Sequence, residues 1–137
     1  MKNSRQVGMG VLIAVLHLVF AAGTALAQDP MKVAPNNFKV LLENDRVRVL
    51  EFRSKPGEKI GMHSHPDCIV YILAAGKTKF TSPDGKTTER EIKAGDTTWR
   101  DAETHASEYT GTGESHALLV ELKGKPAKAK AAKKKTM

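Results

Sequence analysis

The sequence predicts an all-β, antiparallel single domain, a sandwich or barrel, over residues 38–122. Three observations carry this. Strand-like runs follow one another at a spacing near ten residues. Turn signals separate them: Asn44-Asp45, Pro56-Gly57, Ala75-Gly76, Pro83-Asp84-Gly85, Gly95-Asp96 and Gly111-Thr112-Gly113. Few segments carry helical periodicity, and there is no internal repeat of solenoid length.

Residues 1–27 read as a secretory signal peptide. Lys2 and Arg5 give the positive start, Val11 to Ala22 the apolar core, and Ala25-Leu26-Ala27 a small-x-small site, so cleavage is expected after Ala27. The stretch Val7 to Ala27 is almost long enough to anchor in a membrane. Gly8, Gly10, His17 and Gly23 interrupt it, which favours cleavage. The expectation is a periplasmic or secreted protein with no transmembrane span after cleavage. Residues 28–37 form an N-terminal lead-in.

The strand-like runs are 38–43, 46–53, 58–62, 68–74, 77–82, 87–93, 97–100, 105–110 and 115–122. In the second run, Arg46 to Phe52 alternates and then changes phase at Val49-Leu50, which marks a candidate bulge. The fifth and sixth runs form a hairpin with Asp84-Gly85 at its tip, and their lysines, glutamates and threonines predict that much of it is wet. The edges of such a sheet invite pairing into a homodimer.

Residues 123–137 hold seven lysines and no acid, with Ala, Gly and Pro between them. Such a segment buries too little apolar surface to order itself and reads as a disordered basic tail. The tail therefore changes what the charge means. The chain carries 22 basic and 15 acidic side chains, for a net charge of +7. Two of the basic residues lie in the signal and seven in the tail, which leaves the body slightly acidic. The basicity is no argument for specific nucleic-acid binding. The tail can cling weakly to acidic lipids or polymers, or simply solubilise. Cys68 is the chain's one cysteine, so no intramolecular disulfide forms. Its apolar strand predicts a small buried hydrophobe rather than a redox group.

His63 and His65 carry the chemistry. Side chains at i and i+2 of a strand share a face, which brings two imidazoles together with Cα atoms about 7 Å apart. Neutral imidazole is a donor for Zn, Fe, Cu and Ni. His105 lies forty residues further on, in another strand-like run. A lone His-x-His also arises by chance on a solvated strand; here the turns at Pro56-Gly57 and Pro66-Asp67 frame it and a buried strand follows.

These residues resemble the cupin family of small β-barrels. Gly57, His63, His65 and Gly76 match a usual first motif, G-x5-H-x-H-x3-4-E-x6-G. Gly95-Asp96 and His105 match the second, G-x5-P-x-G-x2-H-x3-N, with the histidine one residue early. The resemblance covers residues 38–123 and implies a jelly-roll, or double-stranded β-helix, barrel. It also implies a divalent metal on His63, His65 and His105. The departures are specific. Ile69 stands where the family usually has its ligand glutamate, Asp101 at the usual Pro, Glu103 at the usual Gly, and Glu108 or Tyr109 near the usual Asn.

Loss of a carboxylate leaves three nitrogens and open positions. That suits Fe²⁺ or Zn²⁺ first, then Ni²⁺, Cu²⁺ or Mn²⁺, with affinity for Mn²⁺ lowered by the missing oxygen donor. Ile69→Glu is then expected to restore a carboxylate and raise Mn²⁺ affinity. Glu103, two residues before His105, can ligate, orient an imidazole or sit solvated at the rim; the exposure usual for acids favours the rim. His116 is either a further histidine near the cavity or a core histidine bonded to backbone, and the second is preferred. If Ile69 faces the metal, Tyr71 and Leu73 line the same wall by alternation. Trp99 and Phe80 are further candidates, with core packing as the competing role.

Such a wall predicts a small, partly apolar organic ligand or substrate. Three-histidine cupins resemble Fe²⁺ dioxygenases that cleave diketone-like substrates or oxidise small thiols. The alternative is a cupin that binds a metal or small ligand for sensing, storage or scavenging without catalysis.

Overall fold

The structure is a computed structural model and describes residues 28–124. The expected signal peptide and all but Lys123 and Gly124 of the expected tail lie outside the described residues. Nine strands follow the runs read from the sequence: β1 Phe38–Glu43, β2 Val47–Ser54, β3 Lys59–His65, β4 Cys68–Ala74, β5 Gly76–Thr81, β6 Thr87–Ile92, β7 Thr97–Arg100, β8 Glu103–Tyr109 and β9 Ser115–Leu122. A single helical turn, α1, spans Pro30–Val33 in the lead-in, capped by Asp29, whose Oδ1 accepts the Met31 N–H at 2.8 Å.

All pairings are antiparallel. The strands divide into a five-stranded sheet, in the order β1-β2-β9-β4-β7, and a four-stranded sheet, β3-β8-β5-β6. Six of the eight connections cross from one sheet to the other, as in a jelly roll. The strands thus pair into two separate sheets, with neither closed into the barrel that the resemblance implied. Leu50, Ile60, Cys68, Val70, Ile72 and Leu119 fill the space between them.

The turns form where small and left-handed-tolerant residues stand. Gly57 (φ 82°) and Gly85 (φ 83°) adopt backbone angles that a Cβ would strain. The β5–β6 hairpin closes over residues 82–86, with the Ser82 N–H donating to the Lys86 carbonyl at 2.9 Å, and β6 is almost wholly exposed, as its polar sequence predicts.

The bulge expected in β2 is not there. β2 pairs with β9 without a break, and the extra residue sits opposite, in β1, between Val40 and Leu42. The apparent phase change arises because Arg48, on the inward face of β2, is held by Glu121 rather than by apolar packing. A second bulge lies in β3 between Ile60 and His63. It resets the alternation so that Ile60, His63 and His65 are all buried.

The outer face of the five-stranded sheet carries an apolar row in direct cross-strand register: Leu42, Val49, Val120, Ile69 and Trp99. Leu42, Ile69 and Trp99 are exposed, Trp99 most of all at 54%.

Candidate metal centre

β3 and β8 place the three histidines. His63 and His105 are direct cross-strand partners, and His65 follows His63 on the same face. All three are buried. One nitrogen from each lies within 4.8 Å of the others. Phe38 packs on His63 and His65, with ring centroids 5.8 and 5.9 Å away, and Phe80 meets the His105 ring edge-on at 5.1 Å.

The hydrogen bonds fix two tautomers. His63 Nδ1 lies 2.8 Å from the Gly61 carbonyl, which only accepts, so Nδ1 carries the proton and Nε2 is a free base. The bulge supplies that carbonyl. His65 Nδ1 donates to Glu121 Oε1 at 2.7 Å. Burial pushes the Glu121 carboxyl up, but hydrogen bonds from His65 and Arg48 outweigh it and hold the group below the usual glutamate range. Glu121 is therefore an ionised acceptor, and His65 Nε2 is free as well. Arg48 continues the chain: its Nε donates to Glu121 at 2.6 Å and a terminal nitrogen to Asp29 at 2.6 Å. A carboxylate behind a ligating imidazole is the usual means of orienting it and raising its basicity.

His105 is different. Its Nδ1 is buried without a hydrogen-bond partner. Glu103 Oε1 approaches to 3.4 Å without hydrogen-bond geometry and accepts instead from Arg100 at 2.9 Å. The His105 ring and then the Arg100 guanidinium, against burial, draw the Glu103 carboxyl down to about 2. Three convergent imidazoles, two with fixed tautomers and one with an orphaned buried nitrogen, are a donor set that fits a divalent transition ion.

Burial, and then the neighbouring His105 and His65, push the His63 imidazole down to about 4. It is neutral, and so able to ligate, throughout the physiological range. The unfolded chain takes up this proton near pH 6.5, before the folded protein does. Stability of the metal-free protein is therefore fully present above pH 6.5 and falls as pH drops towards 4. The loss expected from this group is on the order of 3 kcal/mol. Urea unfolding of the chelator-treated protein at pH 7 and pH 4.5 measures it, and unchanged midpoints would contradict it.

The cavity beside the histidines has a volume of about 80 Å³. Val70, Ile72, Phe52 and Leu119 give its apolar wall, and Phe80 lines it as well. The wall expected from Ile69, Tyr71, Leu73 and Trp99 is not the one formed. These four lie on the opposite, solvent-facing side, at 38%, 42%, 39% and 54% exposure. The physical reason is the sheet change after His65. β3 belongs to one sheet and β4 to the other, and the Pro66-Asp67 turn resets the alternation, so Cys68, Val70 and Ile72 point inward. The Asp67 carboxylate holds this turn by accepting the Ala102 N–H at 2.8 Å.

Neither residue 69 nor inward-facing residue 70 is an acid, so the three-nitrogen set stands. Ile69→Glu is consequently expected to change Mn²⁺ affinity less than twofold in competing metal titrations. A tenfold rise would put residue 69 on the metal side.

His116 also faces outward. Its Nε2 bonds Glu51 Oε1 at 2.8 Å, so it is neither near the cavity nor bonded to backbone. Glu103 lies beside His105, half-buried, and is not part of the cavity wall. Cys68 is buried, and desolvation raises its thiol to about 11, as a packed hydrophobe requires. Sequence reasoning missed Glu121, Arg48 and Arg100. For Glu121 the signal was present: Ser115, Ala117, Leu119 and Glu121 share the inward phase of β9, where an acid needs a partner.

Fold and site together define a cupin-like double-stranded β-helix protein with a His63, His65 and His105 cluster. The chain is similar to a cupin domain from Bordetella pertussis, at 25% identity over 64% of this chain and 92% of that one, with a TM-score of 0.58. It is also similar in fold to an uncharacterised conserved protein with a double-stranded β-helix domain from Klebsiella pneumoniae, at 22% identity over 66% and 78% of the two chains and a TM-score of 0.52. A Bacillus halodurans protein matches at 16% identity over 66% and 73%, also with a TM-score of 0.52. No protein-family model and no curated protein matches the sequence.

Proposed function

We propose that the protein binds one divalent transition metal through His63, His65 and His105 and presents it to a small ligand in the cavity between the sheets. The observation that carries this is the convergence of three buried imidazoles, two of them with Nδ1 already engaged. Fe²⁺ and Zn²⁺ fit the three-nitrogen set best. Binding is the primary reading because no carboxylate placed to act as a general base lines the cavity among the described residues. The open positions of such a centre also favour a second reading, dioxygenase-type oxidation of a small substrate. A bound Fe²⁺ would supply the oxygen chemistry. The chain's own part is to hold the ion on one face and to keep the cavity small and apolar.

The test loads the anaerobically purified protein with Fe²⁺ and follows oxygen uptake over small diketones, thiols and phenols. Uptake that His105→Ala abolishes supports catalysis. Metal binding with no uptake leaves the binding reading.

The N-terminal segment is proposed to direct export. Cleavage after Ala27 would leave Gln28 in place, where its carbonyl accepts the Ser64 N–H at 2.9 Å beside the ligands. Sequencing the N-terminus of secreted or periplasmic protein tests this. Among the described residues no helix is long and apolar enough to cross a membrane.

A homodimer is proposed through the apolar row of the five-stranded sheet rather than through its edges. Five strands about 4.8 Å apart and about 25 Å long offer roughly 600 Å² in projection, the low end of a specific interface, and a two-fold axis makes the patch its own partner. The Ile69→Glu variant should then sediment as a monomer while its metal content stays unchanged.

A further inference from the structure

The charge lining the cavity is one-sided. Among the described residues, Arg90 and Arg100 are the only Lys, Arg, Asp or Glu side chains in its wall. The nearest acids are committed elsewhere: Glu103 pairs with Arg100 from the side, and Glu121 is held by His65 and Arg48. Hydroxyls of Thr78, Thr98, Ser107 and Ser115 complete the polar lining. The wall is thus rich in donors and holds no anionic acceptor.

Arg100 is the unusual member. Its side chain is 17% exposed, and its Nε has neither solvent nor a hydrogen-bond partner. Its guanidinium lies 4.7 Å from the centroid of Phe80, whose ring in turn packs on His105 at 5.1 Å. Arg90, more exposed, lies over the same ring at 5.5 Å. One largely buried cation therefore sits a single ring away from the histidine cluster, with a second near it. Burial holds the Arg100 guanidinium below its ordinary value, the mark of a charge not fully compensated. Burying a cation is costly unless it is fully paired, and Glu103 engages only one of its nitrogens.

Size and apolarity narrow the choice. A water needs about 10–15 Å³ of such space, so a cavity of about 80 Å³ takes a body of roughly six non-hydrogen atoms. Val70, Ile72 and Leu119 favour a hydrocarbon part over a bare phosphate. We propose that the ligand is a short-chain carboxylate bound in the cavity beside the histidines, its anionic end held by Arg100 and its apolar end against Val70, Ile72 and Leu119. This rests on the metal-site reading above and names the ligand class for that same site.

The test is calorimetric titration of butyrate, butyramide and inorganic phosphate into the zinc-loaded full chain, with zinc content measured on the same sample. Butyrate is expected to bind at least tenfold more tightly than either of the others. Arg100→Met should keep its zinc and weaken butyrate at least tenfold, with little change for butyramide, and Arg100→Lys should recover part of the loss. With zinc bound, equal affinity for butyrate and butyramide would overturn the inference, as would phosphate matching butyrate or an Arg100→Met protein that binds butyrate normally. If Arg100→Met fails to fold, Arg100→Lys and Arg90→Met provide the variants, each with a smaller loss of butyrate affinity expected, and no loss in either would overturn the inference. Failure of the wild type to hold zinc strikes the metal reading instead. Butyrate titrated into the metal-free protein, with and without Arg100→Lys, then tests the arginine alone: a preference over butyramide supports it and no preference overturns it.

Discussion

Replacing His63 with alanine is expected to lower metal affinity by more than a hundredfold while the two sheets remain folded. His63 stands at the centre of the cluster, opposite His105 in the β3–β8 pairing and two residues from His65. Its Nε2 is free because the Gly61 carbonyl occupies Nδ1. Loss of a partner behind a ligand typically costs ten- to a hundredfold, and loss of the ligand itself exceeds that. The sheets should survive because the core of Leu50, Ile60, Val70, Ile72 and Leu119 does not depend on an ion. Competition with a metallochromic chelator gives the affinity, and circular dichroism gives the fold. Equal changes are expected for His65→Ala and His105→Ala. A wild-type affinity in any of the three would remove that residue from the site.

The second large effect belongs to Glu121. Its side chain is almost wholly buried and bonds His65 and Arg48 together. Glu121→Ala leaves Arg48 with Asp29 alone and strands the His65 Nδ1–H. Breaking a buried pair from one side costs about 3–5 kcal/mol, and urea unfolding should show a loss of that order. Glu121→Gln keeps an acceptor and much of the shape, so it should fold. It replaces the charge that stiffens and enriches the His65 imidazole, and metal affinity should fall about ten- to a hundredfold. If Glu121→Gln bound metal as tightly as the wild type, the Asp29–Arg48–Glu121–His65 chain would be a structural feature only.

The strands were legible because turns punctuate them. Gly57 and Gly85 adopt the left-handed angles that their turns require, and the runs between turns became strands with boundaries off by a residue or two, save the end of β3, which runs three residues further. His63, His65 and His105 were legible as a group because spacing alone puts the first two on one face. What failed was phase across interruptions. Aligning Ile69 with the family's ligand glutamate, and alternating from there, pointed Tyr71 and Leu73 at the metal, but the chain changes sheets at Pro66-Asp67 and β4 turns Cys68, Val70 and Ile72 inward instead. Alternation also cannot reveal a bulge such as the one between Ile60 and His63, whose Gly61 carbonyl fixes a tautomer. Arg100 was invisible for another reason. It sits at the end of an otherwise exposed short strand, and its register opposite the buried Cys68 of β4 turns it towards the cavity.

The most direct test of the central claim is metal stoichiometry. The full chain and its His63→Ala/His65→Ala/His105→Ala counterpart are purified anaerobically, each offered Fe²⁺ or Zn²⁺, desalted and analysed for metal. The three-histidine site predicts close to one equivalent in the wild type and almost none in the triple variant, both with the same β-sheet circular dichroism. A wild-type protein that retains no metal, or a triple variant that retains a full equivalent, would contradict it.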